Sequence, residues 1–561
     1  MIAKSSLARR PGDALICLLF LTAGVVLFAP ILGAFFLSDD FTLLEAIKHG
    51  GPLGIWWRGA NFFRPLVAAS LYLDYRLYGL HPLGFHLTNV LLHSGCAFFV
   101  YRIAAALSLD RLTALLAGVA FLALPAHSES VSWISGRTDL LASFFALAAL
   151  DVWMRRAGRP SRLFLSLALS FVGLCAKESV ITLCAIVFFW DWLLARPATA
   201  AGPRPHRMLG VAAFLTAGGV YLGVRRAVLG KWLGGYGAAV HFKPDLLQVA
   251  VNLVLFPVRA IAAPIPVSLL PRDASTTGVQ HAVMQSLRHH LPLWALLPLL
   301  FVAAAAGLGV LWQVLRQVRE RLERPQLLTL GFLLAAAYLA LLPVLSLSVS
   351  LLGSEGERFL YFPSAFLVIA VVALLRFGLR GAATQRLALA LLQVFYVAML
   401  GYSNHNWHKA GALSERIITQ LQQEPAEPPL LLTNLPDNIG GAFVLRNGVE
   451  AALRLFAAAP PVVSALSVHT LIGPADAVAV TATAEAQAVR LSIELLEPRA
   501  YFFATATPPP ASRLHGDYTV PVQEPRRCTF VVRGVAPPFA LRYYSGGELH
   551  SLEPTAGAQA F

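Results

Sequence analysis

Charge is what this sequence has least of. Asp, Glu, Lys and Arg make up 13% of its 561 residues, against 57% hydrophobic. Mean hydropathy is +0.65. A soluble chain of this length covers its surface with far more charge, so a soluble globular protein is excluded. Cysteine is scarce as well: Cys17, Cys96, Cys175, Cys184 and Cys528, four of them in apolar runs. Cys528 stands alone in the C-terminal region, which excludes a disulfide within that region. There is no clear internal repeat, and the C-terminal region lacks the helical period of a solenoid. The first apolar run starts behind Lys4, Arg9 and Arg10 but ends in Asp39-Asp40 with no small-residue cleavage site. It therefore reads as a retained helix and not as a removed signal peptide.

What is present is a series of apolar runs close to the roughly 20 residues a helix needs to cross a bilayer. The net charge of +14 invites a nucleic-acid reading. The Arg residues, however, fall largely in short loops between apolar runs, the positive-inside pattern, so the charge reports topology and no nucleic acid is expected. Spans are expected near 14–37, 86–107, 112–126, 138–154, 162–175, 179–195, 208–228, 292–315, 327–349, 362–376 and 386–403. Residues 246–270 are broken by Pro257, Pro264 and Pro266 and interrupted by Arg259. A full crossing there would put Arg316, Arg319, Arg321 and Arg324 outside, so this segment reads as re-entrant or interfacial.

The expectation is an α-helical polytopic membrane protein of about eleven transmembrane helices over residues 1–408, with a cytoplasmic N-terminus. Its first outer loop, 38–85, carries the aromatic stretches Ile55-Trp56-Trp57 and Phe62-Phe63-Arg64-Pro65, suited to lying on the membrane. Residues 409–561 read as a small extracytoplasmic domain, mostly β, from alternating runs at 489–496, 518–522 and 529–533, with one helix near 447–456.

On this topology the polar residues are lopsided. The outer ends collect Asp39, Asp40, Arg64, His81, His86, Asn89, His93, His127, Glu129, Arg137, Asp139, Lys177, Glu178, Glu357, Arg358 and His405, while the inner ends carry mostly solitary Arg. Carboxylates, imidazoles and guanidinium groups on one face of a bundle suggest a wet cavity, holding an anionic substrate beside a general base. Arg suits phosphate because its planar fork bonds two oxygens at once. His86, Asn89 and His93 share one helix face, where interhelical hydrogen bonding is the plainer role. No tight four-ligand spacing supports zinc. Read alone, Asp39-Asp40 is a polar stop and helix cap, and Lys177-Glu178 a self-neutralising hairpin turn.

The order of these blocks carries a resemblance. Ser38-Asp39-Asp40, then Phe63-Arg64-Pro65-Leu66, then Phe85-His86-Leu87-Thr88-Asn89-Val90-Leu91-Leu92-His93 resemble the N-terminal half of the TMTC-type O-mannosyltransferases, polytopic glycosyltransferases of the GT-C superfamily. The run from Leu124-Pro125-Ala126-His127-Ser128-Glu129-Ser130-Val131 to Gly136-Arg137-Thr138-Asp139-Leu140-Leu141-Ala142 is similar to their central signature, with Leu124 where the family has His. Ala176-Lys177-Glu178 and Glu357-Arg358-Phe359-Leu360-Tyr361-Phe362-Pro363-Ser364 resemble two further blocks. Together they cover roughly residues 35–365. The family's C-terminal tetratricopeptide repeats have no counterpart in this sequence.

The resemblance implies a GT-C fold and a membrane glycosyltransferase that moves a sugar from a polyprenyl-phosphate donor, such as one carrying mannose, to an acceptor hydroxyl on the extracytoplasmic face. It implies Asp39 or Asp40 as base, or Asp40 as ligand to a divalent metal, Mg or Mn. Arg137, Lys177 and Arg358 would receive the donor phosphate, and His127 and Glu129 would orient sugar or base. Arg64, His86, Asp139, Glu178, Glu357 and Tyr361 complete the expected substrate-binding positions. The acceptor, protein or glycan or glycolipid, is left open. The lack of eukaryotic-style repeats points to a bacterial inner membrane. The alternative is a transporter or flippase of lipid-linked sugar, which would need broken helices and polar groups near the membrane centre. A third reading is a non-catalytic assembly or receptor protein.

Overall fold

The computed structural model describes residues 12–53, 62–156, 159–194, 205–232, 246–266, 322–485, 488–502, 518–524, 526–533, 540–553 and 555–556. The expected span near 292–315 and the Ile55-Trp56-Trp57 stretch lie outside them.

Apolar runs become helices because lipid offers no partner to backbone N–H and C=O groups, and a helix satisfies them internally. Five helices among the described residues are long and apolar enough to cross a membrane: Pro82–Ala106, Gly210–Leu229, Arg324–Val344, Glu357–Gly378 and Ala382–Gln422. A sixth crossing results if Arg111–Leu122 and Pro125–Ser132, bent by 53°, count as one broken span. Asp13–Leu27, Pro160–Leu174 and Leu247–Arg259 are shorter apolar helices. The chain is thus a helical membrane protein.

Two breaks shape the interior. The expected first span is helical only over Asp13–Leu27, and a 3-10 turn at Ala29–Ile31 with Pro30 follows it. Pro30 has no N–H to extend the helix. The expected third span stops at Leu122, because Leu124 adopts the extended backbone that a following proline imposes. Residues 125–136 then fold as a 3-10 turn, the short helix Ser128–Ser132 and a second 3-10 turn, with all but Ser135 buried. The central signature is therefore an irregular plug inside the bundle and not an outer loop. Helix Arg137–Met154 resumes the span and packs against Pro160–Leu174 and Pro82–Ala106.

At the opposite end of the bundle, where mostly solitary Arg was expected, Arg102, Arg155 and Arg156 are ion-paired. Arg102 and Arg155 share Asp151 at 3.0 and 2.7 Å, and Arg102 also reaches Asp13 at 3.1 Å. Arg156 pairs with Asp191 at 2.6 Å and lies over the Trp153 ring. Carboxylates in the adjoining spans neutralise these guanidinium groups, which isolated positions in sequence could not show.

The last helix, Ala382–Gln422, runs unbroken past residue 408, and the first strand begins only at Leu430. The C-terminal region is mostly β, with the helix Val449–Phe456 where a helix was expected. Strand Leu430–Leu432 lies between Ala540–Ser545 and Val463–Ala465, parallel to both. A five-stranded sheet holds the antiparallel strands Val478–Glu485, Ala488–Leu495, Arg527–Arg533 and Tyr518–Gln523, with Thr555–Ala556 at its edge. Three short strands, Ala442–Phe443, Leu435–Ile439 and Val468–Leu471, form the part nearest the bundle.

This region is bolted to the segment that carries Asp39 and Asp40. Helix Asp39–Gly50 packs against helix Val449–Phe456. Phe456 meets Phe35, Phe36 and Phe41 at ring distances of 5.4, 6.2 and 6.4 Å, and Arg454 pairs with Glu45 at 2.9 Å. Offset and edge-on aromatic contacts of this kind each contribute ~1 kcal/mol beyond burial.

Candidate active site

Helix Asp39–Gly50 starts with the acidic pair, and two carboxylates in the first turn suit its positive end. Their environments differ. Asp40 is 2% exposed. Its Oδ2 accepts the Leu37 N–H at 3.0 Å, and its Oδ1 accepts the Ser135 N–H at 2.9 Å and hydroxyl at 2.5 Å. Burial pushes its carboxyl up to about 7, against the opposing pull of the Ser135 and Leu37 hydrogen bonds, with adjacent Asp39 adding to the rise. Asp39 is only half-buried, and its Oδ1 accepts Asn447 Nδ2 at 2.5 Å.

From Asp40 a network leads through the plug. Trp133 Nε1 donates to the Leu37 carbonyl at 3.4 Å, and the Trp133 ring lies 5.0 Å from the Arg358 guanidinium. Arg358 embraces Glu129: Nη1 to Oε1 at 2.5 Å and its backbone N–H to Oε2 at 2.8 Å. Glu129 is fully buried, while the Arg358 side chain is 22% exposed. Next along the chain, the Phe359 ring lies 4.9 Å from that guanidinium and 5.3 Å from Lys177 Nζ. Lys177 Nζ binds Asp139 Oδ1 at 2.5 Å. Lys177, Asp139, Ser143, Phe359 and Pro363 line a small pocket. The ordering is sequence-driven: Asp139 opens helix Arg137–Met154, and Lys177 closes the turn after Pro160–Leu174.

Other expected site residues sit away from that pocket. Arg137 is fully buried, and its guanidinium binds Asp74 (2.5 Å), Asn89 (2.8 Å), the Phe85 carbonyl (2.8 Å) and Ser70 (3.2 Å). Its donors are engaged within the protein, not aimed at a cavity. His127 bridges the Phe121 carbonyl at 2.9 Å and Ser364 at 2.8 Å. Tyr361 hydroxyl meets His93 Nδ1 at 2.6 Å, and His93 Nε2 meets the Leu122 carbonyl at 3.0 Å. His86 Nε2 meets the Ala34 carbonyl at 3.0 Å. Glu357 is fully buried between Arg259 and the Ser128 hydroxyl. Glu178 lies between Arg64 at 3.5 Å and Arg225 at 3.7 Å. Each of these groups ties two or more elements together, as buried polar groups must.

A divalent metal does not fit Asp40 as it is held here. Three hydrogen-bond donors occupy the oxygens of Asp40, and donors presenting positive hydrogens are the wrong surroundings for a cation. Among the described residues no three His, Cys, Asp or Glu form a metal-binding group.

Sequence reasoning missed Ser135, Asp74, Arg225 and Asn447. Asp74 and Arg225 had a signal, since a charge inside an apolar run needs a partner. Ser135 and Asn447 had none, being ordinary polar residues in loops.

The fold and this site define a membrane protein with an acidic pair after its first helix, an ion-paired plug and a pocket lined by the Lys177–Asp139 pair. No protein-family model matches the chain. It is similar to the protein O-mannosyl-transferase Tmtc1 of Drosophila melanogaster, 36% identical over 151 residues, 26% of this chain and 16% of that protein. It is also similar to Tmtc2 of the same organism, 32% identical over 202 residues, 31% of this chain and 21% of that protein. Human TMTC4 is 28% identical over 211 residues, 31% of this chain and 28% of that protein. The resemblance carried by the motif order thus holds, while the chain spans less than a third of the length of each of these relatives. Among solved structures, ArnT from Cupriavidus metallidurans bound to undecaprenyl phosphate is 13% identical with a TM-score of 0.38, over 93% of this chain and 99% of that one. The archaeal oligosaccharyltransferase AglB from Archaeoglobus fulgidus is 12% identical with a TM-score of 0.39, over 75% of this chain and 62% of that one.

Proposed function

We propose that the chain is an integral-membrane glycosyltransferase that moves a sugar from a polyprenyl-phosphate donor to an acceptor hydroxyl on the extracytoplasmic face. The observation that carries this reading is the run of contacts from Asp40 by way of the Leu37 backbone to Trp133, and on through Arg358 and Phe359 to Lys177 at the pocket. It links the acidic pair to cations that receive a phosphate.

In the proposed step, the acceptor hydroxyl oxygen forms a bond to the anomeric carbon. Its proton passes to the Asp39 carboxylate, and the bond from that carbon to the phosphate oxygen breaks. Asp39 has this role because it is half-buried with one oxygen outside the Asn447 contact, whereas the oxygens of Asp40 are held by Leu37 and Ser135. The departing lipid phosphate gains negative charge, which Lys177 and Arg358 stabilise. Asp139 and Glu129 hold those two cations in place until the phosphate arrives. Asp40, Arg137, His86, His127, Glu357 and Tyr361 act by fixing the plug and the helices around it. The donor's lipid tail lies in the bilayer, beside the apolar helices.

Among the described residues, the bent pair at Leu122 and Pro125 is a feature a flippase of lipid-linked sugar would use. Both readings are separated by the full chain in proteoliposomes with polyprenyl-phosphate mannose and candidate acceptor hydroxyls. Sugar transfer or donor hydrolysis is expected, falling on the order of 10²-fold or more in Asp39→Asn. Turnover unchanged in that variant sinks the assignment of the base. Movement of intact donor across the bilayer without transfer establishes the flippase instead.

A further inference from the structure

The C-terminal region reaches into the acidic motif at one point. Ser38, just before the pair, has φ 47°, a left-handed backbone that a residue with a side chain adopts at a cost. Three contacts impose it. The Ser38 N–H donates to the Val444 carbonyl at 3.0 Å. Its hydroxyl donates to Asn447 Oδ1 at 2.7 Å. Gly448, itself at φ 85°, packs so closely that a Cβ there would fall 2.5 Å from the Ser38 carbonyl oxygen. The same Asn447 then turns its amide to Asp39 at 2.5 Å. One side chain from the outer region thus accepts from Ser38 and donates to Asp39, more than four hundred residues earlier.

The neighbouring residue treats the pocket segment in the same way. Arg446 binds the buried Asp437 at 2.6 Å and Glu355 at 2.7 Å, and the Gly440 carbonyl accepts the Ser354 N–H at 3.2 Å. Glu355 lies three positions before Arg358. A single stretch, 437–448, therefore grips both halves of the site.

We infer that Asn447 is a positioning residue for Asp39, and that the outer region is a structural part of the transfer site and not an appended module. The inference rests on the transfer reading for its catalytic half, while the contact itself stands apart from it. Asn447 holds the carboxylate through its amide N–H, leaving the second oxygen for the incoming hydroxyl.

The test uses the full chain and four variants: Asn447→Ala, Asn447→Asp, Asp39→Asn and the swap Asp39→Asn/Asn447→Asp. Asn447→Asp keeps the shape and the acceptor for Ser38 but sets a carboxylate against Asp39. Positioning predicts that it turns over less than Asn447→Ala at neutral pH, with an acidic limb moved to higher pH, since adjacent carboxylates hold a proton between them. A purely structural role predicts the reverse order, because the isosteric variant folds better. The swap restores an amide-to-carboxylate bond with the roles exchanged. Its melting temperature should recover towards wild type while turnover stays at the level of Asp39→Asn. Additive losses of melting temperature in the swap overturn the contact. Wild-type turnover and pH profile in both Asn447 variants, beside an inactive Asp39→Asn, overturn the positioning role. A wild-type protein that moves no sugar overturns the transfer reading, and the swap still reads the contact.

Discussion

Asp40 and Ser135 meet through one oxygen: Oδ1 of the carboxylate accepts both the amide and the hydroxyl of a residue 95 positions later. This bond pins the acidic segment to the plug. It also makes stability depend on pH. Asp40 has its carboxyl raised to about 7, so the folded protein keeps a proton that the unfolded chain loses near its ordinary value of 3.8. Stability from this group is full below that ordinary value and is lost as pH rises towards 7. The melting temperature is therefore expected to fall between about pH 4 and 7, and Asp40→Asn should flatten that part of the curve. A wild-type curve that instead rises with pH through this window counts against the raised value.

Glu129 and Arg358 give a prediction of a different kind. Glu129 is fully buried and receives two bonds from Arg358, whose own side chain is partly open. Arg358→Lys keeps the charge but loses the fork, and Arg358→Ala strands Glu129. Turnover should fall on the order of 10²-fold in both, more in the alanine variant. Steady-state assays with the lipid-phosphate donor read this directly, and equal activity in wild type and Arg358→Ala would remove Arg358 from the phosphate site.

Lys177 should betray itself in binding. Its ammonium lies at the pocket between Asp139 and the Phe359 ring. Lys177→Ala is expected to weaken binding of a polyprenyl phosphate by roughly tenfold or more, the scale of one lost charge-assisted hydrogen bond, ~1.5–3 kcal/mol. Displacement of a labelled lipid phosphate measures it, and undiminished affinity in the variant places the phosphate elsewhere.

Arg137 has the opposite signature. It is fully buried against Asp74 with its other donors engaged. Removing one partner of a buried pair costs ~3–5 kcal/mol. Arg137→Met or Asp74→Asn should lower yield and melting temperature with donor KM unchanged in the protein that survives. A selective rise in donor KM at full stability would return Arg137 to the substrate.

Gly136 tests the plug itself. A Cβ at this position would sit 2.6 Å from the Ser130 carbonyl and 2.7 Å from that of Glu129. Backbone atoms cannot yield as a side chain can, so Gly136→Ala should destabilise by ~1–3 kcal/mol or more, read as a lower melting temperature.

How far the sequence foretold this arrangement differs residue by residue. Hydropathy located helices such as Pro82–Ala106 and Arg324–Leu341, because lipid allows an apolar run little else. The pairing of Lys177 with Asp139 was within reach, since both stood among the expected outer-end charges. The plug was not, because residues 125–136 are polar enough to pass for an outer loop, and only Asn89 and Glu129 with their partners show why they are buried. Asp39 and Asp40 could not be told apart in sequence either. Their difference comes from Ser135 and Asn447, two unremarkable residues brought to them by long-range packing.

The final helix sets the place of the C-terminal region. Ala382–Gln422 holds 41 residues, about 62 Å at 1.5 Å per residue, twice the roughly 30 Å of a bilayer core. Along its length Asn404 bonds the Leu27 carbonyl at 3.2 Å and the Ser132 hydroxyl at 3.1 Å, and Ser414 bonds the Phe36 carbonyl at 2.9 Å. It is a stiff mast stepped in the bundle, and the C-terminal region rides at its head at a fixed height and bearing. Each residue added to it would turn that head by about 100° and raise it by about 1.5 Å. An inserted or deleted residue in this helix would therefore break the register between the bundle and the C-terminal region, and with it the contacts of Asn404 and Ser414.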